Sequence, residues 1–120
     1  MKRKICLAMM FALFFSLNAK EIKRLSTFTI WGMVELREEP GFEEPVKYKT
    51  LNHENGLKVR AIEAGKKEKI VNEENKMSEG IWYKVINTAP VWSEEWDFIE
   101  RGNEFWVFIA EETIIRDYEE

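Results

Sequence analysis

Apolar and polar residues alternate along much of this chain with a period of two, the spacing of a strand with one buried face rather than of a helix. Phe28 and Ile30 alternate with Thr27, Thr29 and Trp31, and after Gly32 the pattern resumes at Val34 and Leu36 around Glu35 and Arg37. This predicts a strand bent at Gly32. Residues 38–50 hold Pro40-Gly41, Pro45 and four glutamates, a composition that predicts a long irregular loop. Leu57, Val59 and Ala61 alternate with Lys58, Arg60 and Ile62 in a further strand, entered through the Asn55-Gly56 turn signal. Between Gly65 and Gly80 the chain is rich in Lys, Glu and Asn, which predicts a solvated loop anchored only by Ile70-Val71. Residues 81–86 are apolar on both faces apart from Lys84, as a central strand covered on each side requires. After a turn at 87–90, Trp92, Trp96 and Phe98 stand among Ser93, Glu94, Glu95 and Asp97, and Phe105 to Ile109 is an unbroken apolar run. Two more strands follow, joined by Arg101-Gly102-Asn103. Residues 111–118 fit a single helical turn with Ile114 and Ile115 inward. Short strands separated by turn signals predict an all-β fold, a small barrel or sandwich.

The first nineteen residues differ in character. Lys2-Arg3-Lys4 is a basic start, Ile5 to Leu17 an uncharged and mostly apolar run, and Leu17-Asn18-Ala19 places a small residue before Lys20. This is the layout of a cleaved signal peptide over 1–19, leaving one domain over 20–120 and placing the protein outside the cytoplasm, secreted or periplasmic. The apolar run is shorter than the ~20 residues that span a bilayer as a helix, so no stable membrane insertion is expected after cleavage. Cys6 lies inside this segment and is the only cysteine. The mature chain therefore has no disulfide and no thiolate chemistry.

Charge narrows the partners. The chain has 18 Lys and Arg, of which Lys2, Arg3 and Lys4 fall in the leader, against 22 Asp and Glu. The mature domain is thus acidic by about seven charges, which argues against nucleic acid and anionic lipid and favours cationic groups on a partner. His53 is the only histidine. Without a second imidazole or a thiol it reads as a turn residue, not a metal ligand or a base. The pairs Glu38-Glu39, Glu43-Glu44 and Glu94-Glu95 lack the separated environments that catalytic carboxylates need. No serine sits in a nucleophile elbow. The expectation is a non-enzyme with no cofactor and no metal.

Several motifs carry a resemblance. Val34-Glu35-Leu36-Arg37-Glu38-Glu39-Pro40, then Leu51 to Val59 with Gly56, then Trp82-Tyr83-Lys84-Val85, and finally Gly102 to Val107 with Trp106 occur in the order and polarity found in bacterial Src-homology-3-like domains. The chain resembles that family over about residues 28–115. It departs from the pattern at Phe105, where the family usually has glycine before the closing tryptophan, and in longer loops at 64–80 and 86–101. The resemblance implies a small, partly open β-barrel with long loops, here with an additional hairpin around 91–99, acting as a binding module.

The candidate site follows from that implication. In eukaryotic relatives of the fold an acidic loop beside an aromatic groove grips a basic residue of a bound peptide. By that analogy Glu38, Glu39, Glu43 and Glu44, with Phe42 and Tyr48 among them, receive a cationic ligand, and family grooves imply a contact for Trp82. Trp82, Val85, Trp106 and Val107 also read as core or half-core residues. A peptidoglycan stem peptide, with its free amines, or an envelope protein is the expected partner. The other reading is an inhibitor of a periplasmic hydrolase that plugs its target with the 91–99 segment, using Trp92, Trp96 and Phe98 as anchors.

Overall fold

The computed structural model describes residues 22–51, 56–71 and 74–120. The proposed leader and His53 lie outside the described residues. Among the described residues there is no helix, and nine strands account for the fold: β1 (Thr27–Ile30), β2 (Glu35–Arg37), β3 (Val46–Lys49), β4 (Leu57–Val71), β5 (Met77–Asn87), β6 (Val91–Trp92), β7 (Phe98–Ile99), β8 (Glu104–Ala110) and β9 (Ile115–Glu119). Seven form one sheet in the order β3-β2-β8-β5-β4-β1-β9, and β6 pairs with β7 in a separate small hairpin. The expected all-β architecture is what the chain adopts, with the sheet left open.

The path from β1 to β2 makes the sheet curl. These strands are consecutive in the chain but four positions apart in the sheet, about 19 Å at the usual strand spacing. Only Trp31 to Val34 connect them, too short to cover that distance with ease even when extended. Curvature brings the two sides together, and Gly32 supplies the turn with a φ of +88°, a region that suits glycine. The bend expected at this glycine is therefore a complete break between two strands.

The concave face holds the main core, and it is built from the period-two positions. Phe28 and Ile30 of β1, Leu36 of β2, Leu57, Val59 and Ala61 of β4, Tyr83 and Val85 of β5, and Phe105, Val107 and Ile109 of β8 are all buried in one cluster. Val91 and Ile99 of the small hairpin join it. That contact roots the hairpin in the domain core.

Three local expectations are corrected. Residues 46–49, within the segment read as a loop, form β3, paired antiparallel with β2 at Leu36↔Tyr48 and Glu35↔Lys49. Pro45 ends the irregular stretch, and Lys47 and Lys49 are exposed while Val46 and Tyr48 are half-buried. A charged edge strand looks like a loop in sequence because it buries so little. The polar stretch 65–80 is a two-stranded ribbon rather than a loop: β4 and β5 continue their pairing through Glu68↔Gly80, Lys69↔Glu79, Ile70↔Ser78 and Val71↔Met77. Backbone pairing holds the ribbon where side-chain burial does not, with Lys69 set opposite Glu79. The helical turn over 111–118 is absent. The Thr113 N–H donates to the Ala110 carbonyl at 3.2 Å and the Ala110 N–H to Thr113 Oγ1 at 2.9 Å, which closes a tight turn. The chain then runs into β9 beside β1, where Ile115 packs on the core and Ile114 stays exposed.

Candidate functional site

The 38–45 segment, the first candidate, folds inward. Gly41, at φ +134°, allows a turn that lays Phe42 on the outer face of the sheet. There Phe42 meets Trp82 edge-on at 5.0 Å and Phe108 at 4.6 Å. Trp82 is completely buried, and its indole N–H donates to Glu68 Oε1 at 2.8 Å. Arg37 closes the cluster. Its guanidinium lies 5.3 Å from the Trp82 ring and 5.5 Å from that of Phe42, pairs with Glu35 at 3.2 Å and donates from Nε to the Glu44 carbonyl at 3.1 Å. A buried cation needs such partners. The result is a second, smaller core on the convex face, with Phe42 as its lid.

The glutamates of this segment divide into two groups. Glu38 holds Lys47 at 2.7 Å, and Glu43 holds Lys66 at 3.1 Å. Hydrogen bonding from its own backbone N–H, then from Lys66, keeps the Glu43 carboxyl below the ordinary range. Glu38 and Glu43 in turn raise Lys47 and Lys66. Glu38, Glu39 and Glu44 line a crevice of about 310 Å³ with Pro45, Val46 and Lys47. Of the residues expected in one site, the fold unites Phe42 with Trp82 and groups Glu38, Glu39 and Glu44. Glu43 is drawn off toward the β4 ribbon. Lys66, twenty-three positions from its partner, had no local signal in the sequence.

The 91–99 segment turns the other way. Trp92, Trp96 and Phe98 are 45%, 70% and 52% exposed and lean on one another: Trp92 to Phe98 at 5.0 Å, Trp92 to Trp96 at 6.3 Å. The backbone beneath them is fixed. The Ser93 N–H donates to the Asp97 carbonyl at 3.0 Å, the Trp96 N–H to the Ser93 carbonyl at 3.0 Å, and the Asp97 N–H to Ser93 Oγ at 2.9 Å. The hairpin is also tied to the edge strand β3, through Glu94 N–H to the Lys49 carbonyl at 2.8 Å and Leu51 N–H to the Trp92 carbonyl at 3.1 Å. Within this closed turn Trp96 adopts a φ of +66°, a left-handed conformation costly for a bulky residue.

Tyr48 belongs to this second region. With Val46, Lys47 and Lys49 it faces Ser93, Glu94, Glu95 and Asp97 across a groove of about 240 Å³. The groove and the acidic crevice share Val46 and Lys47, so the two candidate regions lie end to end along β3. Acids on one bank and lysines on the other suit polar contacts flanking an aromatic anchor. Among the described residues no group of three His, Cys, Asp or Glu side chains is placed to hold a metal ion, and no helix is long and apolar enough to cross a membrane. Comparison of the chain with known protein families, with curated proteins and with solved structures finds no match.

Proposed function

We propose that this protein is a secreted or periplasmic, non-catalytic binding module with a Src-homology-3-like architecture, and that it engages an envelope protein through the hairpin at 91–99. One observation carries the reading: Trp92, packed against both Trp96 and Phe98, stands with them open to solvent on a backbone that is hydrogen-bonded at nearly every step. Exposed aromatics of this size stabilise the free domain little and supply large, rigid contact area to a partner. A pinned turn adds affinity because little freedom remains to be lost on binding. The acidic crevice of Glu38, Glu39 and Glu44 extends the surface along β3 and suits a basic rim on the partner.

A peptidoglycan stem peptide remains the competing ligand for that crevice. The hairpin equally supports the inhibitor reading, in which Trp96 enters the cleft of a periplasmic hydrolase. Immobilised residues 20–120 challenged with purified peptidoglycan and with an envelope extract distinguish these outcomes, with the Trp96→Ala variant run in parallel. Capture of a protein by the natural chain and its loss with Trp96→Ala is the expected result. Retention of peptidoglycan by both chains equally would overturn it.

A further inference from the structure

The acids near β3 differ in whether a cation already holds them. Glu35, Glu38 and Glu43 are paired with Arg37 at 3.2 Å, Lys47 at 2.7 Å and Lys66 at 3.1 Å. Glu94, Glu95 and Asp97 of the hairpin have no cation partner among the described residues. The lysines across the groove do not neutralise them, since Lys47 is taken by Glu38 and Lys49 pairs with Glu35 at 3.9 Å. Glu95 and Asp97 flank Trp96 in sequence, and the bond from the Ser93 N–H to the Asp97 carbonyl closes residues 93–97 into one turn. Two carboxylates without a cation therefore adjoin an indole that is 70% exposed. The same domain shows what such a set accepts. Beside the 38–45 segment the Arg37 guanidinium lies 5.3 Å from the Trp82 ring and 5.5 Å from that of Phe42, with Glu35 meeting its charge. Arg116 covers Trp31 at 4.4 Å, whereas Lys47 stands 5.8 Å from Tyr48. A planar, weakly hydrated guanidinium stacks on a ring and donates sideways to a carboxylate at once, which a compact, strongly hydrated ammonium does poorly.

We infer that the hairpin receives an arginine side chain of its protein partner, the guanidinium stacked on Trp96 and donating to the carboxylate of Glu95 or Asp97. The inference rests on the function proposed above and supplies the partner's contact residue. Trp92 and Phe98, packed at 5.0 Å with Trp96 beside them, widen the apolar platform on which the methylene stem of an arginine can lie. The excess of Asp and Glu over Lys and Arg in the whole chain draws a cation toward this surface from a distance.

The probe is N-acetyl-arginine amide, titrated into ¹⁵N-labelled residues 20–120 beside N-acetyl-lysine amide at the same concentrations, so that ionic strength is matched. The indole N–H signals of Trp92 and Trp96 should move and saturate with a Kd on the order of 10 mM for the arginine probe. Those of Trp31, Trp82 and Trp106 should stay in place. The lysine probe should bind at least about threefold more weakly. Glu94→Gln with Glu95→Gln should weaken the arginine probe about threefold and leave Tm unchanged, while Glu39→Gln with Glu44→Gln should change neither. Equal affinity for the two probes would overturn the inference, as would a stationary Trp96 signal at about 50 mM arginine amide. A shift of Trp92 and Trp96 with N-acetylglucosamine and not with arginine amide would overturn it too, and make the platform a sugar site. If the natural chain captures an envelope protein, Trp96→Ala loses it, and the arginine probe is silent, the hairpin stays the contact surface and only its arginine is overturned. Equal capture by the natural chain and Trp96→Ala would instead remove the proposed function, and this inference with it.

Discussion

The 38–45 segment and the 91–99 hairpin are built from the same materials, glutamates around aromatic residues, and the fold uses them in opposite ways. In the first, Phe42 covers Trp82 and Phe108, and two of the four glutamates are held by Lys47 and Lys66. In the second, Trp92, Trp96 and Phe98 face solvent, and hydrogen bonding secures the backbone instead. The difference lies in what each turn can rest on. The 38–45 segment passes over the outer face of β5 and β8, where Trp82 and Phe108 need a cover. The hairpin sends Val91 and Ile99 into the core and leaves its remaining rings 45–70% exposed. Composition marks both as candidate sites, and burial separates the covered lid from the exposed hairpin.

The largest effect that tests this contrast is on folding. Trp82→Ala removes a fully buried ring and the partner of Glu68, and should destabilise the domain by about 3–5 kcal/mol. Trp96→Ala should change stability by no more than about 0.5 kcal/mol. Urea denaturation of both variants checks the pair, and comparable losses would place Trp96 in the core after all. The order reverses for binding. Trp96→Ala should cost at least ~2 kcal/mol with the recovered partner, roughly thirtyfold in Kd. Phe42, already occupied with Trp82, should matter to the partner only through the fold.

A third effect is smaller and of opposite sign. Holding Trp96 at φ +66° costs about 1–2 kcal/mol, which glycine does not incur. Trp96→Gly should therefore match or exceed the natural chain in thermal stability, by up to about 1 kcal/mol after allowing for the freer unfolded chain, while losing the partner. Gain of stability with loss of binding marks strain kept for function. A clear fall in Tm would mean instead that the Trp96 ring holds the turn together.

Much of the fold was legible in the sequence because side-chain burial shaped it. The alternation at Leu57, Val59 and Ala61, the two-faced run around Trp82 and the interrupted aromatics of 91–99 each carry a local signature, and each became the expected strand or hairpin. Legibility failed where the backbone alone stabilises the structure. The Lys69↔Glu79 and Ile70↔Ser78 pairs of the ribbon bury little, so their polar composition resembles a loop. β9 gives the same lesson, since Ile115 enters the core through pairing with Ile30, a residue eighty-five positions upstream, and a helical turn fits its sequence equally well. The site suffered from the same blindness to distance. Nothing near Glu43 announces Lys66, and nothing near Phe42 announces that Trp82 lies underneath. Gly41 beside Phe42 was the single local hint of an inward turn.

The charges of the 38–45 segment provide the smallest and most discriminating effect. Glu43 titrates below the ordinary carboxylate range because it receives its own backbone N–H and the Lys66 ammonium, so its contribution to stability is present above the unfolded-state pKa and is lost as pH falls through the lowered value. Lys66, held above the ordinary lysine value by Glu43, contributes at lower pH and loses that contribution as pH rises through its raised value. Both side chains are largely exposed, so the effect on Tm should be slight and should shrink further in high salt. Glu43→Gln should lower Tm slightly at neutral pH and flatten its dependence on the acid side, whereas Glu39→Gln, with no ion pair among the described residues, should leave Tm at neutral pH unchanged. Because Glu43 is directed to Lys66, Glu43→Gln should also leave the partner's association rate unchanged, while Glu39→Gln with Glu44→Gln, in the crevice that continues the proposed contact surface, should slow it at low salt. Stopped-flow association at two salt concentrations measures this. If removing Glu43 slows association as much as removing Glu39 and Glu44 together, the segment is acting as one acidic surface, and the division into a folded lid and an open hairpin gives way to a single contact face running from Glu38 to Phe98.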